Sequence, residues 1–385
     1  MNNHFWKAAL CAAMVPFALA GCGGGDDGGA QTGTLHVAMT DAPSCGFDHI
    51  YVTVSQVRVN ANTNASDNDA GWSTITLATP RKIDLLSLTN GVLADIGQTA
   101  LPAGQYQQIR LVLAPNQGNS LANSVVPTGG TEQALATPSA TQSGYKIIQP
   151  FTVQANTLVD LVLDFNACKS IVQRGNGTYA LKPVVTAIPT VVSGAISGYV
   201  APAEAGATVY AEQGGKVVRG TVADSTGKFV LSPLIQSSTQ GNYDVVIVQN
   251  NFASGIVRTV PVVVNTTTAV SASNAPITLP ASTMSSVSGT VTASADALVR
   301  ALQTVDARAY EITSINANMD TGAYALNVPT AAPIVGTYSG SLPVALAASP
   351  AAAAQYTIEA DAASGATQST NVNATTSQSN VNFSF

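Results

Sequence analysis

The sequence predicts an all-β protein made of tandem β-sandwich domains, and three observations carry that reading. Apolar residues alternate with polar ones at a period of two, few stretches carry the helical period, and the C-terminal half repeats its own motifs. With 46% hydrophobic and only 9% charged residues over 385 positions, the chain is too apolar for a disordered polyelectrolyte. It is also too weakly charged for a typical cytosolic helical protein. The length suggests two or three compact units. A formal net charge of −6 argues against a nucleic-acid partner, because binding a phosphate backbone needs a basic stripe that releases counterions.

The first element is a leader. Met1 to Lys7 form a short start with one positive charge, and Ala8 to Ala20 form an apolar run shorter than the roughly 20 residues that span a bilayer core. Leu19-Ala20-Gly21-Cys22 closes the run and resembles a bacterial lipobox, whose cysteine is lipidated on sulfur and becomes the mature N-terminus. The resemblance implies that residues 1–21 are a lipoprotein signal peptide and that Cys22 is a covalent membrane anchor. At ~0.8 kcal/mol per buried methylene, the several acyl chains of such an anchor make it effectively permanent. Residues 22–32, with Gly23-Gly24-Gly25-Asp26-Asp27-Gly28-Gly29, read as a flexible tether. Gly23 directly after Cys22 resembles lipoproteins sorted to the outer membrane, which places the expected body in the cell envelope. An ordinary secretory signal is the alternative.

Strands follow. Leu35, Val37 and Met39 alternate with His36 and Ala38; Ile50, Val52 and Val54 share a face, and Val57 and Val59 resume after a parity change that predicts a bulge near Gln56. Ile109, Leu111 and Leu113 are expected to face inward and Gln108 and Arg110 outward. Val159, Leu161, Leu163 and Phe165 repeat the pattern against Asp160 and Asp164. Asn176-Gly177 predicts a type I′ hairpin before Tyr179-Ala180-Leu181, since both residues tolerate positive φ. The ordered motifs Thr40-Asp41-Ala42-Pro43, Tyr51-Val52-Thr53-Val54, Ile83-Asp84-Leu85-Leu86-Ser87-Leu88 and the run from Leu101 to Leu111 resemble the bacterial domain of unknown function numbered 4382. That resemblance covers residues 33–189. It implies a β-sandwich directly behind a lipoprotein signal and brings no reaction and no catalytic residues.

The rest of the chain reads as two copies of one sandwich, residues 190–280 and 284–385. Ser197-Gly198-Tyr199-Val200 recurs as Ser288-Gly289-Thr290-Val291, and Asp224-Ser225-Thr226-Gly227 recurs as Asp320-Thr321-Gly322. The first copy resembles the carboxypeptidase regulatory-like, transthyretin-like modules, which are usually rigid spacers or sugar- or protein-contacting units. The second diverges by an Ala-rich insertion from Ala347 to Ala354.

Of four cysteines, Cys11 leaves with the leader and Cys22 carries lipid, so an oxidising envelope favours a disulfide between Cys45 and Cys168. Closing so long a loop contributes ~4–5 kcal/mol on the chain-entropy model, less any native strain. A metal pair is disfavoured because no CxxC spacing exists and the mature body keeps only His36 and His49. Neither Gly-x-Ser-x-Gly nor HExxH occurs, and the glycine-rich stretch lies in the tether rather than between a strand and a helix.

Three binding or catalytic features remain. Asp160 and Asp164 share a strand face, as a glycosidase pair could, but a solvated outer face is the commoner reason for such spacing. The Asn/Asp-rich loop from Asn60 to Gly71 could hold calcium, yet it lacks a full ligand pattern and reads first as a solvated hairpin connection. Trp72 could stack on a sugar beside Tyr51 or Tyr106, although an aromatic opening a strand usually caps the core. The expectation is a non-enzymatic, cofactor-free lipoprotein presenting β-sandwiches to a carbohydrate or protein partner. A polysaccharide hydrolase and a calcium-stabilised adhesin are the alternatives.

Overall fold

The computed structural model describes residues 31–41, 46–118, 120–182, 184–237, 241–292 and 296–385. Cys22, Cys45, the leader and most of the tether lie outside the described residues. Among the described residues no helix is long and apolar enough to cross a membrane.

The chain forms tandem β-sandwiches. The first contains β1 (Thr32–Asp41), β2 (Phe47–Asn60), β3 (Ser73–Asp84), β4 (Ala94–Pro102), β5 (Gly104–Leu113), β6 (Ser124–Pro127), β7 (Gln133–Ala136), β8 (Tyr145–Val153), β9 (Leu158–Phe165), β10 (Ile171–Gln173), β11 (Tyr179–Leu181) and β12 (Val185–Pro189), with short helices α1 (Pro138–Gln142) and α2 (Ala167–Ser170). One sheet runs β12-β9-β1-β4. The other runs β10-β11-β7-β6-β2-β5-β8, with β3 also paired to β2. Between them lie Leu35, Val37 and Met39 from β1, Ile50, Val52 and Val54 from β2, Ile109, Leu111 and Leu113 from β5, and Leu161, Leu163 and Phe165 from β9. Each such burial contributes roughly 1.5–3 kcal/mol, which explains why the period-two pattern sets strand orientation. The parity change in β2 is a bulge between Val54 and Gln56.

Three local expectations are corrected. Gln108 and Arg110 do point away from that core, yet they are 0% and 7% exposed, because the Asn60–Gly71 loop folds back over them. On β9, Asp164 is likewise buried rather than solvated, since its face meets the second sandwich. The β10–β11 hairpin forms, but only Gly177 takes a positive φ, at +81°, and its N–H donates to the Arg174 carbonyl at 2.9 Å. A type I′ turn needs two positive φ values in succession, so Gly175 and Asn176 instead make an ordinary turn and Gly177 the bulge residue after it.

The second sandwich contains β13 (Ser193–Tyr199), β14 (Thr208–Gln213), β15 (Lys216–Val222), β16 (Lys228–Ile235), β17 (Tyr243–Val248), β18 (Gly255–Val260) and β19 (Thr267–Ala269). The third contains β20 (Met284–Thr292), β21 (Leu298–Val305), β22 (Arg308–Asn316), β23 (Ala323–Pro329), β24 (Ile334–Thr337), β25 (Ala347–Ala348), β26 (Gln355–Asp361), β27 (Thr367–Asn373) and β28 (Phe383–Ser384). Their topologies coincide: β16-β13-β19 with β15-β14-β17-β18 in one, β23-β20-β28 with β22-β21-β26-β27 in the other. The repeated turn explains its glycine. Gly227, at φ +80°, and Gly322, at φ +66°, pack against the backbones of Val200 and Val291, where a Cβ would collide with the carbonyl oxygen.

A segment of the third sandwich, residues 334–348, crosses the boundary read at residues 280–284. β24 pairs in parallel with β18, and β25 follows, so the second sandwich's sheet gains two strands from the next unit. Ile334 and Val344 join the second core, while Val246 and Ile256 of the second sandwich pack into the third.

Candidate functional site: a charged seam between the sandwiches

Charged side chains are scarce in this sequence, and several of them meet where the three sandwiches join. Asp164 on β9 forms an ion pair with Arg219 on β15, the two side chains being 7% and 1% exposed. Burial pushes the Asp164 carboxyl up and the Arg219 guanidinium down, and their mutual attraction opposes both shifts. Lys169 of α2 reaches Glu311 on β22 at 2.8 Å. Arg300 on β21 binds Glu311 at 3.1 Å, Asp361 on β26 at 3.1 Å, and Glu359, and donates to the Gly215 carbonyl of the second sandwich at 3.1 Å. Glu212 on β14 accepts the Glu311 backbone N–H at 3.1 Å.

Polar contacts extend the seam on both sides. Asn90 bonds Thr221 and the Val230 N–H, at 2.8 and 3.0 Å. Asn316 donates to the Lys169 carbonyl at 2.8 Å, and the Gly175 N–H donates to Asp320 at 2.5 Å. Arg258 on β18 binds Asp306, the Tyr310 hydroxyl and the Val305 carbonyl. A cleft of about 240 Å³ at the junction is lined by Asp164, Lys169, Lys216, Arg300, Glu311 and Asp361. Its cations and carboxylates compensate one another across unit boundaries, which makes the seam a clamp: separating the units would leave buried charges without counterions.

Glu212 stands apart in this clamp. Burial, reinforced by the Glu311 carboxylate, raises its pKa well above the ordinary 4.5, and its second carboxylate oxygen has no hydrogen-bond partner. A group with a raised folded pKa contributes stability that is complete below its unfolded value and is lost as pH climbs towards the folded one. Glu212→Gln keeps the acceptor for Glu311 and has nothing to ionise. Its stability relative to the parent is therefore expected to grow from about pH 5 to pH 8, as measured by denaturant unfolding.

The residues singled out in the sequence fall elsewhere and do not assemble into one site. Trp72 is half-buried, its indole N–H donating to the Ser66 carbonyl at 2.9 Å, with the Arg58 and Arg110 guanidiniums 4.5 and 5.1 Å from the ring centre. Tyr51 instead stacks on His49 beneath Lys82, and Tyr106 stacks on Phe151 in the core, so the three aromatics form no common platform. The loop's carboxylates already have partners: Asp67 pairs with Arg110, and Asp69 accepts from the Ser66 hydroxyl at 2.7 Å. Among the described residues no group of three or more His, Cys, Asp or Glu side chains is arranged to hold a metal ion. Trp72 thus pins the loop over Arg58 and Arg110. Trp72→Ala is expected to cost ~1–2 kcal/mol, from two cation–π contacts and a hydrogen bond. Faster amide exchange confined to residues 61–70 would register that loss.

Asp160 and Asp164 have different partners. Asp160 bonds His36 Nδ1 at 2.7 Å, and His36 Nε2 lies 3.0 Å from Asp95, whereas Asp164 is committed to Arg219. His49 faces Asp84 at 2.7 Å, not a hydroxyl nucleophile. Cys168 is disulfide-bonded; Cys45 lies outside the described residues. The seam residues Lys169, Glu212, Arg219, Arg300 and Glu311 were not anticipated. The available signal was a charge in mid-strand, such as Arg219 within Lys216–Val222 or Glu311 within Arg308–Asn316, in a chain with only 9% charged residues.

No curated protein matches the chain. Among solved structures it is similar to a type II cohesin–X-dockerin complex from Acetivibrio cellulolyticus, at 25% identity over 23% of this chain and 58% of that chain, with a TM-score of 0.19. It is also similar to the major pilin subunit BcpA of Bacillus cereus, at 10% identity over 92% of this chain and 99% of that one (TM-score 0.13). The major pilin SpaA of Corynebacterium diphtheriae gives the same identity and coverage with a TM-score of 0.17. The family match lies in the first sandwich, where residues 32–183 match the family described as a domain of unknown function, DUF4382.

Proposed function

We propose that this protein is a non-enzymatic, lipid-anchored scaffold of the cell envelope. Cys22 carries the lipid at the outer membrane, residues 22–32 form the tether, and sandwiches over 33–189, 190–280 and 284–385 form a stiff body. That body presents loops and strand edges to a protein or carbohydrate partner, or acts as a spacer. The observation that carries this reading is the seam: side chains from all three sandwiches complete one another's charges, as a body that must transmit position rather than open and close would require. The shared strand order of the second and third sandwiches supports reading both as transthyretin-like modules.

We assign Cys45 as the disulfide partner of Cys168, whose neighbour Lys169 enters the seam. Non-reducing peptide mapping should recover the pair joined, and two free thiols would contradict it. The anchor is tested by metabolic palmitate labelling and membrane fractionation of the parent and Cys22→Ala: label and membrane association in the parent alone are expected. An unlabelled parent that fractionates like the variant would overturn the anchor. Pull-downs and glycan arrays on the purified body separate presentation from spacing. Polysaccharide turnover abolished by Asp160→Asn would overturn the non-enzymatic reading.

A further inference from the structure

The second and third sandwiches share one topology but differ in how their equivalent edges are treated. In the second, β18 would be an edge strand, yet β24 of the following unit lies on it in parallel register from Gly255–Ile334 to Arg258–Thr337. In the third, the equivalent strand β27 pairs with β26 through all seven of its residues and ends the sheet. Its sequence, Thr-Gln-Ser-Thr-Asn-Val-Asn, contains no charge and no proline, its register has no bulge, and six of its seven residues are exposed.

Unprotected edges of this kind are unusual, because an open row of backbone N–H and C=O groups is a template for another strand. The other edges of the described sheets carry the usual deterrents. Asp95 lies in β4, Lys146 in β8, Pro189 in β12, Lys216 in β15, Lys228 in β16 and Arg308 in β22. β23 ends at Pro329 and runs beside β22, and β10, β19, β25 and β28 have three residues or fewer. Beside β27 a groove of about 550 Å³ opens towards the segment containing Gln378 and Asn382, with room for the side chains of an added strand.

We propose that β27 is a homotypic assembly edge, on which two copies of this chain pair β27 to β27, antiparallel, about a two-fold axis near Thr370. The occupant follows from what a second copy has to offer. Its β24–β25 hairpin is already laid on its own β18, its other long edges carry charge or proline, and its β27 is free of both. A two-fold pairing sets the strand against itself, and an uncharged strand meets no like charge there. The result is a continuous eight-stranded sheet made of two copies of β22-β21-β26-β27.

The test is cross-linking in cells that express the full chain. Cysteine is placed singly at Ser369, Thr370 or Asn371, with Val191→Cys, 71% exposed on a distant turn, as the control. Residues opposed across an antiparallel pair have Cβ atoms about 4.5–5.5 Å apart, within reach of a disulfide under mild oxidant. A band at twice the monomer mass is expected to peak at one of the three positions and to exceed the control several-fold. Ser369→Lys with Asn371→Lys, which opposes like charges across the axis, is expected to abolish that band while leaving the melting temperature of this exposed strand unchanged. Cross-linking no greater than the control at all three positions would overturn the proposal. So would a cross-link only to a different protein, or a band that survives the paired lysines.

Discussion

Arg219→Met is expected to destabilise the protein by about 3–5 kcal/mol, the cost of leaving a buried carboxylate without its counterion. Asp164, 6% exposed, has Arg219 as its ion-pair partner, and Asp41, also buried, lies within the same field. No water can replace the guanidinium's charge at that depth, so the remaining carboxylate must either stay ionised at high cost or take up a proton. Truncating both partners should behave differently. Asp164→Leu in the Arg219→Met background removes the orphaned charge, and apolar replacement of a whole buried pair is often neutral or stabilising. Urea unfolding of the two single variants and the double variant measures this directly. An Arg219→Met chain as stable as the parent would show that the first and second sandwiches do not rely on the pair. Salt should matter little, since screening acts mainly on exposed charges.

Arg300→Met is expected to have an effect of similar size, about 3–5 kcal/mol, for a related reason. Arg300 is 5% exposed and holds Glu311, Glu359 and Asp361 together while bonding the Gly215 carbonyl of the neighbouring sandwich. Without it three carboxylates face one another with Lys169 as the cation left at Glu311. The deficit is read by urea unfolding of the variant beside the parent. Arg300→Lys should recover part of the loss, because the charge remains while the planar fork that reaches several oxygens does not. An Arg300→Lys chain no more stable than Arg300→Met would indicate lost packing rather than uncompensated charge.

What was legible in the sequence was whatever one strand decides by itself. The inward sets Leu35-Val37-Met39 and Ile109-Leu111-Leu113 and the bulge near Gln56 follow from a period-two pattern that only one orientation satisfies. The repeat was readable because a turn glycine pressed against a neighbouring backbone, as at Gly227 and Gly322, leaves the same signature twice. What escaped was the outer face of each sheet. Gln108, Arg110 and Asp164 alternate as solvated residues would, but their cover comes from a loop more than forty residues earlier and from another sandwich. Polar residues under such cover differ from exposed ones only in their distant partners. The β10–β11 turn escaped for a smaller reason: Asn176-Gly177 permits type I′, and Gly175 before it lets the chain take a three-residue turn instead.

The stiffness of the three-sandwich body is the claim on which the proposed role rests, and a distance between its first and third sandwiches measures it most directly. Spin labels at Leu158, exposed on β9, and at Ser364, in the turn before β27, report the first sandwich against the third. Pulsed electron–electron double resonance should give one narrow distance distribution, and Arg219→Met or Arg300→Met should broaden it. A broad or multimodal distribution in the parent protein would contradict a rigid body.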